Sequence, residues 1–311
     1  MSDGKTAWPA LPVAAWEATR DTLHLWTQIV GKVRLALEPW VNHSWQVPLY
    51  VNARGLTTSL MPDGGRGIEI QFDFGRHVLE IRTTDGAERQ VRLEPRSVAD
   101  FYAETLARLA ELDVRVEILP RPVEIPVAIP FADDETHASY DAEYAHRFWQ
   151  SLVQAQRVLT RFRSRFVGKV SPVHFFWGGF DLAVTRFSGR DAPRHPGGVP
   201  NCADWVMADA YSQEVSSCGY WPVGATEGVF YAYAYPEPAG FRDWPVEPAE
   251  AAYEPGLGEF LLPYEVVRTA DDPDATLLSF LQTTYEAAAE PGHWDRSHLE
   301  RRLPMTGMPV D

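Results

Sequence analysis

Between residues 14 and 37 the apolar side chains Trp16, Leu23, Trp26, Val30, Val33 and Leu37 recur at steps of three, four and seven. That spacing is one stripe of an amphipathic helix, and Pro39 limits it. The period then falls to two. Residues 47–51, 68–74, 77–83 and 90–93 alternate as strands do, and Asp85-Gly86 supplies hairpin-turn chemistry. A second helix is predicted over 97–112, with Ser97 as N-cap and Phe101, Leu106 and Leu109 turned inward. Residues 114–119 read as a closing strand.

Residues 120–130 hold four prolines in eleven positions, which excludes a helix or a central strand there. This divides the chain into a first half (1–119), an extended connector (120–136) and a second half (137–311). The second half opens with another helical stripe, formed by Tyr144, Phe148, Leu152, Ala155, Leu159, Phe162 and Phe166. Both stripes end in Val-Gly-Lys-Val, at Val30 to Val33 and Val167 to Val170. Each motif is followed by Pro, His and Trp: Pro39, His43 and Trp45, then Pro172, His174 and Trp177. Later strands are predicted at 229–235 and 260–267, and a late helix at 275–289 answers the one at 97–112. The expected fold class is α+β, with two similar halves that each hold a long helix, an antiparallel sheet and a second helix. Internal duplication is the simplest origin of such a plan. The repeated motif reads as a helix terminus, where glycine eases the chain out and lysine meets the carbonyl end of the dipole.

A chain of 311 residues with 45% hydrophobic content suffices for a packed core in one large domain or two smaller ones. Its 43 acidic against 28 basic residues give a net charge of −15, which argues against nucleic acid or an anionic membrane as partner. Two cysteines, Cys202 and Cys218, are too few for a disulfide scaffold and read as reduced thiols, with a pairing across a hairpin left open. No signal-peptide pattern and no apolar run of membrane length occur, so a cytoplasmic location is expected.

The runs Thr22-Leu-His-Leu-Trp-Thr-Gln-Ile-Val-Gly-Lys-Val33, Asn42-His-Ser-Trp-Gln-Val-Pro-Leu-Tyr50 and Val173-His-Phe-Phe-Trp-Gly-Gly-Phe-Asp-Leu-Ala-Val-Thr-Arg-Phe-Ser188 resemble a bacterial family catalogued as domain of unknown function 5996. So do His195-Pro-Gly-Gly-Val-Pro200 and Ala210-Tyr-Ser-Gln-Glu-Val-Ser-Ser217. The resemblance runs from Trp8 to Trp294. It implies one evolutionary unit and brings no catalytic residues with it.

Candidate chemistry gathers at 174–221. If 180–187 is a strand, Asp181 and Thr185 share one face while Leu182, Val184 and Arg186 share the other. His174 in its aromatic run suits a general base or a buried structural histidine, and His43 is its counterpart in the first half. The loop 188–200 carries Arg190, Asp191, Arg194 and His195 among glycines and prolines, as ligand lids and solvated loops both do. Residues 205–221 fit either a helix or a strand, with comparison to the first half favouring strand; Glu214 there has hydroxyl neighbours.

No phosphate loop, dinucleotide fingerprint, His-Glu-x-x-His or Gly-x-Ser-x-Gly is present, so the cofactor is unknown. The leading expectation is a small-molecule enzyme. His174, His195 and Glu214 would act as acid/base groups, Arg186 would hold an anionic group, and Asp181, Trp177, Tyr211, Trp221 and His43 would contact substrate. A non-catalytic ligand-binding or protein-interaction protein is the competing class. A metal enzyme with dispersed His24, His43, His174, His195 and Glu214 ligands is a third.

Overall fold

In the computed structural model, which describes residues 7–301, the first apolar stripe is helix α1 (Val13–Leu37). Its far side is buried too: Thr22, Gln28, Lys32 and Arg34 are covered along with the stripe. A helix enclosed on so many sides sits between layers rather than on a surface.

Strands β1 (Tyr50–Val51), β2 (Gly55–Thr57), β3 (Met61–Asp63), β4 (Arg66–Asp73), β5 (Val78–Thr83) and β6 (Glu88–Arg92) form the first antiparallel sheet. Its order is β1-β2-β4-β5-β6, with β3 also paired to β4. Helix α2 (Val98–Glu111) follows, and the Ser97 hydroxyl accepts the Asp100 amide at 3.1 Å as the N-cap expectation requires. The closing strand expected at 114–119 is absent. Val114, Val116 and Ile118 pack onto the core as unpaired extended chain, and Pro120 and Pro122 end any approach to a ladder.

The second half begins with α3 (Ala142–Ser164), capped by Asp141, which accepts from Tyr144 N at 3.0 Å. Then come β7 (His174–Phe176), β8 (Asp181–Asp191), α4 (Asp204–Ala210), β9 (Gln213–Trp221), β10 (Val229–Tyr235), β11 (Ala252–Glu254) and β12 (Glu259–Pro263). Helices α5 (Tyr264–Thr269), α6 (Pro273–Ala289) and α7 (Arg296–Leu299) complete it. The second antiparallel sheet runs β11-β12-β10-β9-β8-β7, with α3 and α6 on one face. Two expectations change here. The ambiguous stretch 205–221 is a helix and then a strand, and the strand expected at 260–267 turns into α5 directly after Pro263.

Each half therefore has a long helix, a six-stranded antiparallel sheet and a later helix, but the two Val-Gly-Lys-Val motifs are not equivalent. The first lies inside α1, which continues to Leu37; the second follows the end of α3. Gly31 is a packing residue rather than a helix exit, because a Cβ there would lie 2.2 Å from Trp177 Nε1. One hydrophobic core spans both halves. Leu49 and Phe175 also exchange backbone hydrogen bonds of 2.9 Å, tying the start of the first sheet to the edge of the second.

Candidate functional site

Beneath the connector, the free face of the second sheet floors a cleft with two chambers. The face follows from register. Ala183 pairs with Gly219 and Gly219 with Tyr231; Thr185 pairs with Ser217 and Ser217 with Tyr233. Asp181, Ala183, Thr185 and Phe187 consequently point into one chamber of about 400 Å³. Its walls are apolar and aromatic, with Trp40 and Trp45 from the segment after α1, Trp177, and Trp205 and Met207 from α4. The second chamber, about 490 Å³, is walled by His24, Trp221 and Glu259. The two share Glu124, Gly178, Asp181, Tyr211, Tyr231 and Tyr233.

Two carboxyl groups and three phenols meet at that shared waist. Glu124 belongs to the proline-rich connector, and its position is fixed by the main chain around it. Gln28 of α1 clasps Val123 on both sides, accepting from its N–H and donating to its C=O at 2.9 Å each. Glu124 N donates to Pro200 O at 2.8 Å, and Asn201 Nδ2 donates to Ile125 O at 2.7 Å. The backbone of Glu124 is held in the left-handed region, φ 61°. His43, Ser44 and Phe180, at φ 60°, 56° and 59°, also line the cleft. Such backbone costs on the order of 1–3 kcal/mol per residue and collects at functional sites. Gly178 leaves space for the carboxyl, since a Cβ there would meet Glu124 Oε1 at 2.0 Å.

Asp181 is half-buried and accepts a short hydrogen bond from the Tyr231 phenol. A Cβ built on Gly179 would lie 2.9 Å from Asp181 Oδ1 and 3.6 Å from Glu124 Oε2, so the two carboxyls flank one small volume. Desolvation raises Asp181 to about 6 although the phenol opposes the shift. Glu124 is open to water in the cleft but walled by protein; desolvation first, and the Asp181 charge second, raise it to about 7. The same two causes bring Glu259 to about 7. Beside them the Tyr211 and Tyr233 hydroxyls share a 2.7 Å hydrogen bond.

Lys32 reaches the tryptophan-lined chamber from α1 and is only 4% exposed. Among the described residues its ammonium has no hydrogen bond or ion pair; the Trp177 ring centroid lies 5.8 Å away. Burial lowers its pKa to about 8. The neighbouring Cys202 thiol is raised by burial and by Glu124, so it stays neutral and offers the amine no counter-charge. Cys202 and Cys218 are both free thiols.

The sequence-expected residues divide. Asp181, Trp177, Tyr211, Trp221 and His43 all line the chambers. His43 is half of a further device: its Nε2 meets Lys169 Nζ at 2.5 Å, and its ring nitrogen Nδ1 and backbone N–H face Asp209 at the end of α4. The other four residues are elsewhere. Alternation puts His174 on the cleft side of the sheet, but Trp45, Tyr50 and Phe176 pack edge-on around it; it is wholly buried and neutral, with a pKa lowered by burial to about 3. His195 stacks on Tyr211 at 4.7 Å from outside the chambers. Glu214 is ion-paired with Arg190 at 2.6 Å beside a separate, small hollow. Arg186 faces the opposite side of the sheet, under the rings of Phe162 and Tyr285. The anion-holding role expected of Arg186 has no access to the cleft. Among the described residues no group of three or more His, Cys, Asp or Glu is gathered as a metal would need, and no helix is long and apolar enough to cross a membrane.

The sequence profile of a family of unknown function, DUF5996, matches residues 8–301. The chain belongs to that family. No curated protein and no solved structure matches it. Membership in DUF5996 thus covers the whole fold and the cleft, and the chemistry has to be read from the residues themselves.

Proposed function

We propose that the chain is a small-molecule enzyme whose proton transfers are carried out by Asp181 and Glu124 at the waist of the cleft. The observation that supports this most is the pairing of two raised carboxyls around one small volume. Near neutral pH Asp181 is largely ionised and Glu124 is close to half protonated, so one serves as base and the other as acid. The Tyr231 phenol orients Asp181, and the strained backbone and clasped connector keep Glu124 aimed inward. Tryptophans around the first chamber suit a flat or apolar substrate body.

The test is a turnover screen of small aromatic esters, amides and ketones with wild type, Asp181→Asn and Glu124→Gln in parallel. Each variant is expected to lose on the order of 10²–10⁴-fold in rate while remaining folded. Turnover untouched by both substitutions would sink the reading. A second reading, binding without chemistry, draws support from the scatter of His174, His195 and Glu214. It gains if a molecule fills the cleft and is never transformed.

A further inference from the structure

Among the cleft groups that the acid/base chemistry leaves unused, Lys32 is a cation without an acceptor. The Lys32 side chain is buried, its ammonium opens onto the cleft, and the surrounding protein supplies it with only a ring face and a neutral thiol. A purely structural side chain at this point in α1 would be served as well by methionine. The amine instead borders a chamber of about 400 Å³ whose remaining walls are largely apolar. What such a cation lacks is one negative charge delivered by whatever enters. Glu124 and Asp181, which line the same chamber, disfavour a multiply charged anion, which leaves a singly charged group.

We propose that Lys32 anchors the carboxylate of an apolar or aromatic small-molecule acid, whose carbon body lies along Trp177 and Trp45 and whose other end meets Asp181 and Glu124. This substrate class rests on the proposed enzyme reading for its reacting end but not for its binding. The ion pair forms against largely apolar walls, where a charge-assisted hydrogen bond is stronger than one on an open surface. A neutral isostere leaves the ammonium unpaired and so binds more weakly.

The experiment is isothermal calorimetry on the full chain with 3-phenylpropionate, its amide and 3-phenylpropylamine, which share one carbon body and differ in charge. The acid is expected to bind at least about tenfold more tightly than the amide. Lys32→Met should erase that preference, Lys32→Arg should keep part of it, and Lys32→Glu should turn it towards the amine. An acid that binds no more tightly than the amide, failure of the acid to bind included, overturns the proposal. So does a preference that survives Lys32→Met. Because wild type alone decides the first criterion, a poorly folding variant does not blunt the test. Asp181→Asn separates the two claims: it should leave the preference for acid over amide in place whatever it does to turnover.

Discussion

Two charged side chains of strand β8, Asp181 and Arg186, are sent by the sheet to opposite sides. Beneath it, Arg186 is 1% exposed, lies 3.5 Å from the Phe162 ring centroid and donates to Phe162 O at 2.5 Å. Burial lowers its pKa to about 10, so it stays charged at neutral pH. Above it, Asp181 has one phenol and otherwise open volume. Lys32, which lines the same chamber, has the Trp177 ring face but no hydrogen bond or ion pair among the described residues. A charge closed in by rings and a carbonyl, even with its Nε unpartnered, belongs to the fold; a charge facing open cleft volume belongs to something that arrives. The difference lies in how far the packing is finished, since residue type and burial alone would rank Arg186 as the better site.

The largest effect should come from the finished side. Arg186→Ala removes the cation, its carbonyl contact and the ring packing together, at a cost of roughly 2–4 kcal/mol in urea unfolding. A loss no greater than that of Asp181→Asn would break the contrast between the faces.

Next is the pH dependence of stability. The folded pKa of Asp181 and Glu124, about 6 and about 7, stand above ordinary carboxyl values. The folded protein therefore holds these protons more tightly than the unfolded chain does. Their stabilising share is complete below about pH 4 and is lost as pH rises through 6 to 7. Asp181→Asn should flatten the fall in unfolding free energy between pH 4 and 7 by about 1 kcal/mol, allowing for water in the cleft. A steeper fall in the variant would contradict the assignment.

The smallest effect belongs to Lys32→Met, which should shift stability by less than about 1 kcal/mol and towards the more stable side, because it deletes an unpaired buried charge. Marked destabilisation would show that Lys32 is a packing residue like Arg186.

Period and turn chemistry made much of this legible. The stripes of α1 and α3, the Ser97 cap and the strand at 229–235 lie at or near the expected boundaries, since each is fixed by local residues. Alternation also separated Asp181 and Thr185 from Arg186 correctly. It could not tell which polar residue on a cleft-side face is sealed: His174 qualifies by parity, and three rings close over it. Glu214 attracted notice through its hydroxyl neighbours, while its partner Arg190 lies on the adjacent strand. Glu124 was missed because a proline-rich connector reads as a spacer. Its one hint was an isolated acid between Val123 and Ile125 in an otherwise apolar stretch. Lys32 is visible in its motif, but the pattern there points to a helix end, and the helix continues to Leu37.

The clasp of Gln28 on the connector has a consequence for how the sequence can drift. The clasp itself holds only the main chain of Val123, so it is indifferent to which N–H-bearing residue stands there, whereas the Val123 side chain is constrained separately by its packing on the core and the chamber wall. The amide at 28 has no such freedom: it is wholly buried and serves as donor and acceptor at once. As far as the clasp goes, the constraint that keeps Glu124 in place is recorded in the middle of a helix far from it in sequence.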